Sequence, residues 1–207
     1  MAGLTAGASA QKKTYFGIKG GLNMTNISNL KITPDENPTP RSSYVDAKYK
    51  SSFYVGIFIE AKISRSLSIQ PEFVYSQQGT SATFNIDRAT VKYRLLMDYI
   101  NIPVLFKAYV VPDKLSFDFG PQIGFGVRAE AKAKATANGQ QNSASATLDN
   151  DVYNNVDFSI PLGFTWNITK HILFSARANI GLTNVLKGTG GEHVSNRVFQ
   201  IGVGARF

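Results

Sequence analysis

The sequence predicts an all-β fold, an eight-stranded antiparallel up-and-down transmembrane β-barrel with short periplasmic turns and long outer loops. Apolar and polar residues alternate with a period of two through most of the chain, which is typical of strands with one apolar face. Tight and long connections alternate between these segments, as they do in outer-membrane barrels. Most glycines fall on the polar face, which therefore suits a narrow interior.

Eight segments carry this alternation. They are residues 15–25, 52–63, 67–77, 99–110, 115–128, 156–167, 172–186 and 198–207. The tight connections lie near residues 64–66, 112–114 and 169–171, and the long ones at residues 29–50, 78–97, 129–156 and 187–196. An even number of strands puts both chain termini on the same side of the membrane, which we expect to be the periplasmic side.

Two of the long connections are predicted to continue the strands as ribbons above the barrel wall. The stretch AEAKAKATANGQQNSASATL alternates alanine with polar residues on both sides of Asn138-Gly139, a strong hairpin signal. Helix is the alternative for this stretch, because Ala and Lys both favour it. The stretch ATFNIDRATVKY predicts a second ribbon with its tip at Asp87-Arg88.

Composition excludes several classes of protein. Of the 207 residues, only 17% are charged, against roughly 25% in soluble domains. The absence of cysteine excludes disulfides and thiolate metal sites. The net charge of +8 is scattered along the chain, which argues against nucleic acid as a partner. No run of 18 apolar residues is present, so no transmembrane helix is expected.

The first residues are interpreted as part of a targeting segment. Ala8-Ser9-Ala10 followed by Gln11 fits the small-residue cleavage site of a secretory signal. We therefore assign residues 1–10 to the remnant of a signal peptide and residues 11–207 to an outer-membrane β-barrel domain. A disordered stretch of small residues is the alternative.

The direction of the apolar face decides between a membrane barrel and a soluble, lipocalin-like carrier. In such a carrier the apolar side chains would point inward. An eight-stranded interior is only just wide enough to be filled by side chains, and the Phe, Leu and Ile residues of the apolar face exceed that volume. We expect the apolar face to point outward, where it requires lipid.

Charged residues fall on the inward face, and buried charges need partners. We therefore expect a side-chain-filled lumen, with no useful pore, that contains a structural ion-pair network. Its predicted members are Lys19, Glu60, Lys62, Glu72, Lys107, Asp118, Arg128, Asp157, Arg177 and Arg206.

Catalytic and metal-binding signals are weak. No metal-ligand spacing is present, so we expect neither a metal nor a cofactor. His171 lies in a short turn, and His193 lies between Glu192 and Ser195 in the last long connection. These residue types make an outer-membrane enzyme acting on lipid or peptide the alternative function. Because any polar loop supplies such groups, we expect no catalytic residues.

Several segments together resemble a known family. They include FGIKGGLNMTNI, LSIQPEFVYSQQG, YINIPVLFKAYV, FDFGPQIGFGV and NRVFQIGVGARF. Across residues 15–207 the chain resembles the PorT-type outer-membrane β-barrel family of the Bacteroidetes lineage. The resemblance implies an eight-stranded outer-membrane barrel, whereas family membership transfers little function beyond the fold. The founding member takes part in protein secretion, so we expect a non-enzymatic envelope structural protein or an accessory subunit of an envelope or secretion assembly.

The final stretch, VFQIGVGARF, resembles the terminal signal that the barrel-assembly machinery reads. The residues that carry this resemblance are Gln200, Gly202, Ala205 and Phe207, although Ala205 is smaller than the usual residue there. The expected partners are this machinery during insertion, outer-membrane lipid and lipopolysaccharide, and an envelope protein. Lysines near the outer side, among them Lys132 and Lys134, are placed to meet anionic lipid headgroups.

Overall fold

The computed structural model describes residues 13–27, 50–86, 89–137, 140–147, 154–184 and 195–207. Ten β-strands lie in these ranges: β1 (Thr14–Ile27), β2 (Lys50–Lys62), β3 (Leu67–Ile86), β4 (Ala89–Val111), β5 (Leu115–Phe119), β6 (Gln122–Ala137), β7 (Gln140–Thr147), β8 (Val156–Asn167), β9 (Ile172–Gly181) and β10 (Asn196–Arg206). The same ranges contain no helix that is long and apolar enough to cross a membrane. The predicted signal segment and the two ribbon tips lie outside them.

The strands pair antiparallel in a closed cycle. From β1 the pairings run through β2 and β3 to β4, which pairs with both β5 and β6. β5 and β6 both pair with β8, and the cycle returns through β9 and β10 to β1. β7 pairs with β6 and with no other described strand. We call the space inside this cycle the interior.

The count of ten strands differs from the predicted eight for two local reasons. The segment predicted at residues 115–128 is divided at Gly120-Pro121 into β5 and β6, and proline has no N–H to donate to a ladder. β7 is the second arm of the ribbon predicted around Asn138-Gly139, and its register with β6 begins at Ala137 opposite Gln140. The helical alternative for this stretch is therefore wrong.

β3 and β4 also continue as the second predicted ribbon. Their pairing runs from Leu67 opposite Ala108 at one end to Ile86 opposite Ala89 at the other. β3 carries Gly79 with a φ of 127°, a conformation that L side chains rarely adopt. A Cβ at Gly79 would lie 2.0 Å from the backbone oxygen of Leu95. Because β4 pairs with β3 and β6, and β6 with β7, the two ribbons form one four-stranded region of the ten-stranded sheet.

The exposed side of the strands is apolar and the buried side is mostly polar, as the alternation predicts. Phe16, Ile57 and Val203 are each more than half exposed, whereas Glu60 and Lys107 are completely buried. A lipocalin-like carrier requires the reverse arrangement, so that alternative is wrong.

One β-bulge changes the register predicted for β6. Asp98 lies opposite Arg128, but the next residue of β4, Tyr99, lies opposite Gly126. Val127 is therefore the extra residue, and the faces of β6 exchange beyond it. Ala129 is buried in consequence, and Arg128 is exposed. The prediction that Arg128 points into the interior is wrong for this reason.

Candidate functional site

Glu72 on β3 is the centre of one buried cluster of charges. Lys19 Nζ lies 2.5 Å from Glu72 Oε2. Arg177 donates from both terminal nitrogens, with Nη1 3.0 Å from Oε2 and Nη2 3.1 Å from Oε1 of the same carboxylate. Arg177 belongs to β9, which is not a sheet neighbour of β3. This bidentate pair, a strong type of charge-assisted contact, therefore crosses the interior.

Glu60 on β2 is the centre of a second buried cluster. Its Oε1 accepts a hydrogen bond of 2.5 Å from the Tyr109 hydroxyl, and its Oε2 accepts one of 3.3 Å from Arg206 Nη1. Lys107 Nζ lies 3.7 Å from Glu60 Oε2. These partners belong to β4 and β10, each separated from β2 by one strand. The contacts therefore also run through the interior.

Gln70 joins the two clusters into one network. Its amide nitrogen donates to Glu72 Oε1 at 2.7 Å, and its amide oxygen accepts from Lys107 Nζ at 2.9 Å. The network includes six of the residues that the alternation predicts, namely Lys19, Glu60, Glu72, Lys107, Arg177 and Arg206. Gln70 and Tyr109 were not predicted as members, although both lie at inward positions of their strands.

Asp118 and Asp157 are buried, as predicted, but the described hydrogen bonds to them come from neutral side chains. Asp118 accepts hydrogen bonds from Ser116 at 2.6 Å and from Thr165 at 2.5 Å. Asp157 accepts one of 2.6 Å from Thr183 and a longer one of 3.4 Å from the Asn196 amide. Hydroxyl donors satisfy a buried carboxylate without a cation. Asp118 interacts with Arg177 only at longer range. Among the described ion pairs neither acid takes part, so the expectation that they join the ion pairs is wrong.

Lys62 and Arg128 also form ion pairs outside the network. Lys62, the last residue of β2, pairs with Asp113 in the turn after β4. The hydrogen bond from Lys62 lowers the pKa of the Asp113 carboxyl below its usual value. Arg128, turned outward by the bulge, has its Nη2 2.8 Å from Glu130 Oε2. Both predicted network members are thus corrected, one because it lies at a strand end and one because of the register change.

The predicted assembly-signal residues lie along the seam between β1 and β10. Gln200 is buried and donates to Asn23 Oδ1 at 3.0 Å. Gly202 and Ala205 pair with β1, and the backbone nitrogen of Phe207 donates to a β1 carbonyl at 2.7 Å. Phe207 is 72% exposed. The seam is thus observed, while recognition by an assembly machinery stays a prediction.

A second site lies on the four-stranded region formed by the ribbons. Arg94 is directly opposite Lys132, and Lys92 is directly opposite Lys134. We call these four exposed residues the basic cluster. Residues opposite each other on antiparallel strands have Cβ atoms about 4.5–5.5 Å apart, and like charges there are destabilising. Glu130 partly offsets this repulsion, since its Oε1 lies 3.1 Å from Lys132 Nζ.

Two concave spaces adjoin the basic cluster. The first, of about 310 Å³, is lined by all four members of the cluster and by residues 143–145 of β7. The second, of about 430 Å³, is lined by Arg94 and Lys132 again, together with Lys50. Arg94 and Lys132 therefore stand between the two spaces. The sequence shows each lysine and arginine, but the register that opposes them depends on the bulge.

The catalytic alternative is only partly covered by the described residues. Ser195 directly precedes β10, whereas Glu192 and His193 lie outside the described ranges. His171 Nδ1 lies 3.1 Å from the backbone oxygen of Arg206, in a turn. Within the described ranges, no three His, Asp or Glu side chains are grouped so as to hold a metal ion.

The exposed apolar face, the buried polar face and the closed cycle of pairings define the class of an outer-membrane β-protein. A family model described as the outer membrane protein beta-barrel domain matches residues 9–187. The chain belongs to this family.

Solved structures of outer-membrane proteins are similar to the chain at low identity. Ail, the attachment invasion locus protein of Yersinia pestis, is 14% identical with a TM-score of 0.47, and the match covers 94% of this chain and 99% of that one. OprG from Pseudomonas aeruginosa is 13% identical with a TM-score of 0.42, covering 95% and 97%. Neisserial surface protein A is 10% identical with a TM-score of 0.41, covering 92% and 95%. Such identities transfer no role to this chain, and no curated protein matched it.

Proposed function

We propose that the chain is a non-enzymatic transmembrane barrel of the bacterial outer membrane with a side-chain-filled lumen. It acts as an envelope structural protein or as an accessory subunit of an envelope or secretion assembly. The observation that carries this proposal is the pairing of an exposed apolar face with a charge network that crosses the interior. Membership of the outer-membrane family supports the location.

In this proposal the barrel wall has eight strands. β5 and β6 count as one wall strand because both lie between β4 and β8. β7 extends beyond the wall. The tight turns and both termini face the periplasm, and the ribbons face outward, in keeping with the loop lengths of such barrels. A signal-peptide remnant at residues 1–10 and a place in the PorT-type group of Bacteroidetes belong to the same proposal.

The contacts of the network support a closed lumen. Glu72 holds cations from β1 and β9, and Glu60 holds cations from β4 and β10. An ion passing through would separate these pairs, and removing one partner of a buried pair costs about 3–5 kcal/mol. Large buried side chains such as Leu105 add to the filling. The network is therefore assigned a structural role and not a conducting one.

Planar-bilayer recording tests the closed lumen. We expect no stable, large conductance from the wild-type protein. The double variant Glu72→Ala/Arg177→Ala should open a path and give measurable single-channel steps, whereas Glu130→Gln, outside the interior, should stay silent. Stable large conductance of the wild type would contradict the closed lumen.

The role of the terminal strand as an assembly signal is tested by substitution. Phe207→Ala should reduce the amount of protein inserted in the outer membrane, measured as the fraction that migrates as folded barrel in unheated gel samples. Phe199→Ala in β10 is the matched control, because it also removes one exposed phenylalanine ring. Equal losses in the two variants would show that lipid contact, and not signal recognition, is responsible.

The choice between a structural protein and an accessory subunit is made by purification from native membranes in mild detergent. An accessory subunit should co-purify with one envelope protein in a fixed ratio. Purification of the chain alone, under conditions that keep other envelope complexes intact, would eliminate the accessory role and leave the structural one.

A further inference from the structure

We propose that the basic cluster of Lys92, Arg94, Lys132 and Lys134 binds a ligand that carries two or more phosphate groups. The first argument is the register. Arg94 lies opposite Lys132 in one row of the β4–β6 ladder, and Lys92 lies opposite Lys134 two residues further along. Like charges directly opposite each other destabilise a pair of strands. Rows two residues apart are about 7 Å from each other along a strand. Four cations therefore share a small surface.

The second argument is the lack of compensation. Glu130 is the acid that pairs with the cluster among the described residues, and it also holds Arg128 at 2.8 Å. Among the described residues that line the two concave spaces there is no carboxylate. Lys50 adds a further positive charge to the second space, and Asp98 offsets part of that charge because it lies close enough to interact with Lys50. The surface therefore has an excess of positive charge that a multiply charged anion would neutralise.

The third argument is the chemistry of the lining. Ser145 lies directly opposite Lys132 and Ser143 directly opposite Lys134, so hydroxyl groups flank the lysines. Phosphate oxygens accept hydrogen bonds from hydroxyl, ammonium and guanidinium groups, and the planar fork of an arginine suits them well. The volume of about 310 Å³ lies within the range of small-ligand sites.

The arrangement of the two spaces indicates more than one phosphate. Arg94 and Lys132 line both, so a ligand held by them reaches the remaining lysines on one side and Lys50 on the other. Two sources offer this chemistry, namely a soluble oligophosphate and the bisphosphorylated headgroup of an outer-membrane lipid. The proposal does not depend on a closed lumen, because the cluster lies on the ribbons.

The test uses the full chain and two probes. In the first arm, sodium tripolyphosphate is titrated into protein held in a nonionic detergent, and binding is followed by calorimetry at two salt concentrations. In the second, protein in nanodiscs containing bisphosphorylated lipid A is released, and native mass spectrometry counts the lipid retained. Arg94→Gln/Lys132→Gln removes the central cations. Arg65→Gln/Lys170→Gln removes two exposed charges from tight turns and is the matched control.

We expect the cluster variant to bind at least tenfold more weakly in one or both arms, while the control variant binds like the wild type. Wild-type affinity should fall as salt rises, and Glu130→Gln should bind more tightly because the competing carboxylate is neutralised. The charge-conserving Arg94→Lys/Lys132→Arg variant should retain binding and shows that the sheet tolerates substitution there. The arm that shows the effect identifies the source of the phosphate. Absence of wild-type binding in both arms, or equal loss in the cluster and control variants, overturns the proposal.

Discussion

Replacing Glu72 by glutamine is the most direct perturbation of the buried network. The change conserves size and removes one negative charge, which leaves Lys19 and Arg177 buried without their counter-ion. Loss of one partner of a buried ion pair costs about 3–5 kcal/mol. Because two cations lose their partner here, we expect Glu72→Gln to lower the free energy of unfolding by about that amount.

The assay is equilibrium unfolding in urea from lipid vesicles. The chain has a single tryptophan, and Trp166 is 51% exposed on the apolar face. Its fluorescence therefore reports transfer of the wall from lipid to water. Glu130→Gln is the matched control, since Glu130 also pairs with two cations, Arg128 and Lys132, but the side chains of these cations are 62% and 48% exposed. Surface pairs contribute about 0–1 kcal/mol, and the control should lose no more.

A double variant separates charge pairing from packing. Lys19→Gln/Glu72→Gln also removes one of the two cations that Glu72→Gln leaves without a counter-ion. The decrease in the free energy of unfolding should therefore be smaller than the sum of the decreases for the two single variants. The coupling of residues in one network is of order 0.5–3 kcal/mol. A decrease in the free energy of unfolding of less than about 1 kcal/mol for Glu72→Gln, or equal decreases for Glu72→Gln and Glu130→Gln, would refute the reasoning that burial makes this network strongly stabilising.

Three further predictions concern the seam, the exposed face and a turn. Gly21→Ala should destabilise the protein by about 1–3 kcal/mol, because the new Cβ would lie 2.1 Å from a β10 carbonyl oxygen. Gly20→Ala is the control: its Cβ would meet nothing nearer than 3.3 Å, so the melting temperature should change little. Ile57→Lys, at a site 58% exposed on the apolar face, should cost about 2–4 kcal/mol in vesicles if it lies at the bilayer midplane. Asp113→Asn should alter the pH dependence of stability, because the contact from Lys62 lowers the pKa of the Asp113 carboxyl in the folded state. The stabilisation from this carboxylate is fully present above the unfolded-state pKa of about 4 and is lost as the pH falls through the folded-state pKa.

Each of these has an outcome that contradicts it. Equal melting temperatures for the two glycine variants would show that the seam relaxes around a Cβ. A neutral effect of Ile57→Lys would mean that this part of the exposed face does not meet lipid. A difference between wild type and Asp113→Asn that stays constant from pH 7 to pH 3 would show that the Lys62 contact does not depend on the carboxylate charge.

The faces of the strands and both ribbons were predictable from the sequence because they depend on local pattern. Side chains alternate along a strand, so Glu72 and Arg177 had to share the polar face once each strand was recognised. Asn138-Gly139 marked a hairpin by its turn chemistry. The division of one strand at Pro121 also had a local cause, although the alternation on both sides of it gave no sign of a break.

The choice of partners was not predictable, because it depends on distances across the interior. Glu60 and Asp118 have the same pattern around them, yet one meets Arg206 and the other meets hydroxyl groups. Which residues face each other is set by the relative register of strands that are distant in sequence. The bulge beside Tyr99 adds a shift that no alternation reveals, and it turned Arg128 outward.

The seam also has a consequence for the order of events during folding. The hydrogen bond from Gln200 to Asn23 joins residues 177 positions apart. Bringing the ends of a loop of this length together costs roughly 4–5 kcal/mol of free energy from lost chain entropy, which the contacts between the ends then have to offset. Because β1 lies near the start of the given sequence and β10 near its end, β1 emerges from the ribosome first. The edge of β1 that pairs with β10 stays unpaired until β10 has been synthesised. An unpaired strand edge exposes the chain to aggregation during that interval, so we expect the yield of folded protein to depend on protection of this edge as well as on the stability of the finished sheet.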